Sequence, residues 1–403
     1  MDLTSLERAQ ALDAADPLAS FRARFAMPDH SLVYLDGNSL GRAPLAAIEA
    51  VGRVASREWT GDLIRGWRYW LDAPIRIGDI LAPLLGAKAG EVAITDSTTI
   101  NLYRLASAAL DARPGRRAIA ISASEFPTDR YVVEGLAAAR GLEIRWLGEH
   151  EVEGVAPTNV DRVLDDDLAL MVLSHVNYRS AAIADMPGIT ARAREAGALV
   201  LWDLSHSGGA IPVNLTASDA DLAVGCTYKY LNGGPGAPAY LYVRRTLQDE
   251  LRPPIQGWFA QAAQFEMGPR FERREGIAGW LVGTPGMLGL AAVEVGIALS
   301  AEAGIERIRD KGMALTAYAV ELLDTWLAPL GCSLGSPRDP VRRGNHISIV
   351  HPEARRLTLN LIARDVIPDF RAPDSIRIGL SPLSTSFEDV HRGLTAIREL
   401  LAA

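Results

Sequence analysis

The stretch Ala223-Val224-Gly225-Cys226-Thr227-Tyr228-Lys229-Tyr230-Leu231-Asn232-Gly233-Gly234-Pro235-Gly236 runs from an apolar strand into a glycine-rich turn, with a lysine at the junction. Lys88, Lys229 and Lys311 are the only lysines among the chain's 41 basic residues, so arginine carries nearly all of the positive charge. Position 229 therefore asks for an amine. A guanidinium stays protonated, whereas a desolvated ammonium gives up its proton and the amine can add to an aldehyde as a Schiff base. Taken alone, a lysine at a strand end more often lays its stem on apolar surface with its head in water. The residues upstream favour the chemical reading.

Twenty-six residues earlier, Ala198-Leu199-Val200-Leu201-Trp202-Asp203-Leu204-Ser205-His206-Ser207-Gly208-Gly209-Ala210 reads as a buried strand ending in an acid, with a histidine three residues on. An acid at a strand end is commonly a turn or helix cap. Paired with a lysine one strand further along, it suggests a site for pyridoxal phosphate (PLP). That cofactor withdraws electrons best while its ring nitrogen is protonated, and a buried carboxylate keeps it so. Asp203 is the candidate partner.

Working outward, 403 residues of 48% hydrophobic composition suffice for a large core, divided into a larger and a smaller unit. The net charge of −8, without basic runs, points away from nucleic acid and anionic membranes and toward a small-molecule partner. Cys226 and Cys332 are too few for a disulfide framework or a zinc site, and no metal is expected. The polar start Met1-Asp2-Leu3-Thr4-Ser5-Leu6-Glu7-Arg8 lacks an apolar signal core, and no apolar run has membrane-spanning length. A cytoplasmic location is the expectation.

Apolar β runs and helices alternate from residue 91: 92–94, 118–121, 143–147, 169–174, the Asp203 strand, 222–224 and 240–243, with helices from Thr98, from Tyr131 and near 188–196. Such alternation predicts a mainly parallel sheet flanked by helices, with ligands at the carboxyl ends of the strands. Thr98, Phe126, Ser174, Asp203 and Lys229 all fall at or just after such ends. Before the sheet, residues 3–25 have helical periodicity broken at Asp16-Pro17. Residues 32–35 read as a strand, and 45–59 and 62–85 as helices. The turn Asp36-Gly37-Asn38-Ser39-Leu40-Gly41 is either punctuation or an anion cradle at a helix start. After it all, 245–285 reads as a long irregular loop, the kind that builds a site or an interface. Helices at 287–302 and 304–328 precede an α+β segment with strands at 345–350 and 375–379 and helices at 353–363 and 386–402.

Four stretches together resemble the kynureninase family, a class V branch of the fold type I PLP enzymes: Tyr34-Leu35-Asp36-Gly37-Asn38-Ser39-Leu40-Gly41, Glu125-Phe126-Pro127-Thr128-Asp129, Trp202 to Gly209, and Cys226 to Gly236. The resemblance implies an α/β, PLP-dependent transferase-like fold. A mainly parallel seven-stranded sheet lies in a large domain (45–303), beside a smaller α+β domain (1–44 and 304–403). It implies Lys229 as the Schiff-base lysine and proton carrier, with Asp203 and Tyr228 as catalytic partners. Phe126 stacks on the cofactor ring; Thr98, Thr99, Pro127, Thr128, Asp129, Ser174 and His206 complete the pocket. Trp258 and Thr284 reach the phosphate from a neighbouring subunit, hence a homodimer with shared sites. Arg377 grips the substrate carboxylate, and Ser39 and Trp67 border the substrate side chain.

The implied reaction is hydrolytic cleavage of the Cβ–Cγ bond of L-kynurenine to anthranilate and L-alanine, in tryptophan catabolism by the kynurenine pathway, NAD biosynthesis or anthranilate supply. Gly283-Thr284 resembles bacterial members that prefer the substrate without a 3-hydroxyl group. One departure is Ser180-Ala181, where the family pattern has Thr-Gly, which adds a Cβ to a loop that favours glycine. Three alternatives stand beside this reading: a class V aminotransferase, a desulfurase-like lyase, and a silent PLP-fold binding protein. The second needs a reactive cysteine, and Cys332 has no basic neighbour in sequence. Intact Lys229 and Asp203 argue against the third.

Overall fold

A computed structural model describes residues 4–29 and 31–402. Met1 to Leu3, the start of the polar N-terminal stretch and of the helical pattern, lie outside the described residues. The first strand, β1 (Val33–Tyr34), belongs to the smaller part of the molecule. Seven strands then form the central sheet: β2 (Val92–Ile94), β3 (Ala118–Ser122), β4 (Glu143–Leu147), β5 (Leu168–Ser174), β6 (Leu199–Asp203), β7 (Leu222–Gly225) and β8 (Tyr240–Val243). Their order is β2-β8-β7-β6-β5-β3-β4, and only β8 runs against its neighbours.

The unbroken apolar runs of β5 and β6 follow from burial on both faces. Val200 and Trp202 point into one core with Ile77, Leu81, Ile189 and Val293 from helices Ala73–Leu81, Met186–Glu195 and Met287–Ala303. Leu199 and Leu201 point into the other with Leu102, Leu105, Val133 and Leu136 from helices Thr98–Asp111 and Pro127–Arg140. Trp202 is fully buried, and its indole N–H donates to Thr190 Oγ1 at 3.2 Å. Truncating it to alanine would cost about 3–5 kcal/mol, so the strand that ends in Asp203 is firmly anchored.

The helices expected at 45–59 and 62–85 are broken instead. Helix Leu45–Arg53 widens into a π-helical stretch over Val54–Asp62, Leu63 takes φ 51°, and short turns lead through Trp67–Trp70 to Ala73–Leu81. Gly61 and Gly66 explain the loss of regularity, since glycine gains little from the helical state. The 245–285 region holds short 3-10 turns and one isolated antiparallel bridge, Gln261 to Arg273.

In the smaller part, β9 (Ser333–Leu334), β10 (His346–Val350), β12 (Asp369–Arg371) and β13 (Ser375–Gly379) form an antiparallel sheet in the order β12-β13-β10-β9. The strand β11 (Val366–Ile367) pairs in parallel with β1. Ala9, Val33 and Leu35 share a core with Leu315, Ile347, Ile376 and Leu394, so the N-terminal segment packs with residues beyond 314. A buried ion pair, Lys311 Nζ to Asp16 Oδ2 at 2.6 Å, adds a tether. Of the three lysines, Lys311 is thus spent on structure and Lys88 is exposed. Among the described residues no single helix is long and apolar enough to cross a membrane.

Candidate active site

Lys229 follows β7 at the sheet's carboxyl edge, held by a turn in which Asn232 takes φ 53°. The Gly37–Gly41 turn packs directly on it. Gly41 N–H donates to Tyr228 O at 2.8 Å, and a Cβ on Gly41 would lie 2.3 Å from Lys229 O. Close approach of two backbones therefore explains that glycine. The same turn sends Ser39 toward Arg377, whose Nη2 donates to Ser39 Oγ at 2.8 Å.

A cavity of about 490 Å³, its open mouth included, lies at the strand exits. Thr98, Thr99, Phe126, Thr128, Asp129, Ser174, Asp203, His206, Tyr228 and Lys229 line it, together with Val176, Tyr178 and Ser205. Ser174 and Asp203 stand side by side because β5 and β6 pair in register there. Lys229 Nζ lies 3.0 Å from His206 Nε2 and 5.9 Å from the centre of the Phe126 ring. Burial, and then the Lys229 charge, push the His206 imidazole well below its usual range, so it is neutral near pH 7. The Tyr228 hydroxyl is raised, chiefly through Cys226 beside it and then by burial.

One wall is acidic. Asp129 is raised well above the usual carboxylate range by burial and by the neighbouring Asp203 and Glu125, and only the acid Asp203 stands within hydrogen-bonding reach of its carboxyl group. Buried carboxyl groups in such a cluster call for a cation between them. PLP fits these residues. Its protonated ring nitrogen would answer Asp203 and Asp129, and its aldehyde the Lys229 amine. Its ring would meet Phe126, which is 38% exposed, and its phosphate the N-terminus of helix Thr98–Asp111, where Thr98 Oγ1 is buried and unpartnered.

Other expected residues lie elsewhere. Pro127 opens helix Pro127–Arg140 and lends its fixed φ to that first turn rather than a cavity wall. Trp67 packs edge-on against Trp258, with ring centres 5.7 Å apart, and both meet Phe259 and Phe265. Thr284 is exposed and Trp258 is 37% exposed; neither lines this chain's own cavity. Arg377 is 1% exposed and does not line the cavity, but its Nη1 donates at 2.7 Å to the backbone oxygen of Tyr178, which does. Its Nη2 also bonds Asp369 Oδ2 at 2.6 Å.

The chain is 42% identical to the kynureninase of Pseudomonas fluorescens, over 99% of this chain and 96% of that one. It is 44% identical to the kynureninase of Burkholderia pseudomallei (strain K96243), over 98% and 95%. The chain belongs to the kynureninase family. The family model described as "Kynureninase C-terminal domain" matches residues 308–397. Solved structures of a cysteine desulfurase from Thermococcus onnurineus NA1 (TM-score 0.80, 18% identity, 98% of each chain) and of the cystine C-S lyase C-DES (TM-score 0.81, 19% identity, 92% and 98%) share the fold. The fold is that of the fold type I PLP enzymes.

Against the kynureninase pattern, Ala181 holds the left-handed conformation a glycine would favour, φ 64°, and is fully buried. The loop keeps its shape despite the added Cβ, at a local cost of about 1–2 kcal/mol. Glu125, Tyr178, Ser205 and His346 were not singled out as site residues. Glu125 stands inside a stretch already quoted, Ser205 lies between Asp203 and His206, and Tyr178 lies two residues before Ser180-Ala181. His346, fully buried with its ring centre 5.3 Å from that of His206, comes from β10 and left no local signal.

Proposed function

We propose that this chain hydrolyses the Cβ–Cγ bond of L-kynurenine to anthranilate and L-alanine, with PLP held by Lys229. The observation that carries this reading is the 42–44% identity to proteins named kynureninase over nearly the whole chain. The cavity at the strand exits, lined by Lys229, Asp203 and Phe126, supports it. When bound, PLP supplies an electron sink for negative charge developing at the substrate's Cα and Cβ.

Each role then falls to a residue of this chain. The Lys229 amine, within hydrogen-bonding reach of a neutral His206, moves the proton at Cα. Asp203 and Asp129 would hold the positive charge of the ring nitrogen. Thr98, Thr99, Thr128, Ser174, His206 and Tyr228 would orient the cofactor, with Phe126 beside its ring. A raised Tyr228 hydroxyl keeps its proton near neutral pH and can donate it to Cβ as the Cβ–Cγ bond breaks, with water supplying the hydroxyl that Cγ gains. Arg377 and Ser39 take the substrate carboxylate, with Trp67 along its side chain. That contact requires the carboxylate to displace Tyr178 O or Asp369 from the guanidinium.

The same proposal includes a cytoplasmic homodimer whose Trp258 and Thr284 complete the neighbour's phosphate site. Their exposure supports it. It also includes the division into a large unit, 45–303, and a small one, 1–44 with 304–403, and a preference for the unhydroxylated substrate. A desulfurase-like reaction is disfavoured because burial pushes the Cys332 thiol up to about 11, away from a reactive thiolate. The test is fluorescence of anthranilate released from L-kynurenine, alongside 3-hydroxykynurenine. Transamination without anthranilate would reject the hydrolase.

A further inference from the structure

We propose that Glu125 is a positioning residue that turns the Ser174 hydroxyl toward the cavity, an inference that rests on the PLP reading above. Glu125 sits on the loop between β3 and helix Pro127–Arg140, immediately before Phe126, and is 5% exposed. Ser174, at the end of β5, lines the cavity beside Asp203. Glu125 reaches across 49 residues of sequence to meet it twice. Its Oε1 accepts from the Ser174 N–H at 2.8 Å, and its Oε2 is paired with Ser174 Oγ.

A serine hydroxyl has one hydrogen to give and two lone pairs to receive with. An ionised Glu125 would take that one hydrogen and leave the cavity only an acceptor. A protonated Glu125 donates its own O–H to Ser174 Oγ, and the serine hydrogen is then released toward the cavity and any acceptor bound there. The surroundings favour the protonated form. Burial outweighs the two hydrogen bonds to Ser174, which pull the other way, and with the charges of Glu149 and Asp203 pushes the carboxyl up to about 8. Holding it neutral also spares the ring-nitrogen partner Asp203 a second negative neighbour. Glu125 thus sets the direction of a hydrogen bond it does not itself make.

Glutamine reproduces the protonated acid, since its oxygen accepts from the Ser174 N–H and its amide donates to Ser174 Oγ. The test removes PLP from the full-length protein and titrates it back by absorbance, for wild type, Glu125→Gln, Glu125→Leu, Ser174→Ala and the Leu/Ala double variant. E125Q is expected to bind PLP within about threefold of wild type, and E125L and S174A each about tenfold more weakly, one buried hydrogen bond's worth. The double variant should be no weaker than the worse single one, because the two residues act as a unit. E125Q as weak as E125L would mean that the negative charge matters and would overturn the proposal. Wild-type affinity in E125L, or additive losses in the double variant, would overturn it too. If E125L fails to fold, E125Q and S174A still decide. A wild-type protein that binds no PLP would instead sink the functional reading itself, so the two failures are distinguishable.

Discussion

At the strand exits three carboxyl groups, Glu125, Asp129 and Asp203, crowd together, and two of them line the cavity, whereas the guanidinium groups of Arg371 and Arg377 gather around Tyr178. The acidic side is built at the central sheet, from the end of β6, the loop after β3 and the first turn of helix Pro127–Arg140. The basic side is built from β12 and β13 and from the turn after β1. They also differ in how their charge is met. Asp129 meets only another acid, Asp203, while Arg377 is engaged by Tyr178, Ser39 and Asp369. A buried acid whose neighbour is another acid awaits a resident cation. A fully paired arginine is suited to a ligand that comes and goes, because it has protein acceptors to return to. Lys229 and His206, 3.0 Å apart, line the same cavity as Asp129, Asp203 and Tyr178.

The comparison breaks first at its centre. Lys229→Ala should leave a folded protein with anthranilate production reduced at least about a thousandfold. Borohydride reduction in the presence of PLP should then label neither Lys88 nor Lys311; a label on either would move the amine elsewhere. Next, Asp203→Ala should lower kcat about a hundredfold, the scale of losing one preorganised charge, with PLP still detectable by absorbance. Unchanged kinetics would mean that the acidic wall does not serve the ring nitrogen. On the basic side, Arg377→Ala should raise KM for L-kynurenine about 30-fold or more while PLP stays bound, given about 2–3 kcal/mol for a charge-assisted pair. Loss of the cofactor in its place would join the two walls into one function. Smallest, Ala181→Gly should raise stability by up to about 1 kcal/mol by relieving a left-handed alanine, read as a small rise in Tm. A fall in Tm would show that the buried methyl outweighs the strain.

Much of the acidic side was legible early. Asp203 and Ser174 close apolar runs, and Thr98 and Phe126 flank helix starts, so periodicity alone placed them at one sheet edge. The basic side was harder to read. Arg377 stands out in Ser375-Ile376-Arg377-Ile378-Gly379, yet nothing local tells that Tyr178 O and Asp369 share its donors. The broken helix after Leu45 was missed because Trp-rich helical spacing continues through Gly61 and Gly66, where backbone entropy decides against a regular helix.

Residue type and period determined the sheet, its carboxyl edge and the amine at position 229, because local burial and reactivity depend on side chains and their immediate neighbours. Tertiary structure alone decided that Lys311 would neutralise Asp16, that Glu125 would clasp Ser174 and that His346 would lie against His206. Those pairings join residues far apart in the chain. Their partners are chosen by which elements pack together, and no local pattern encodes that choice.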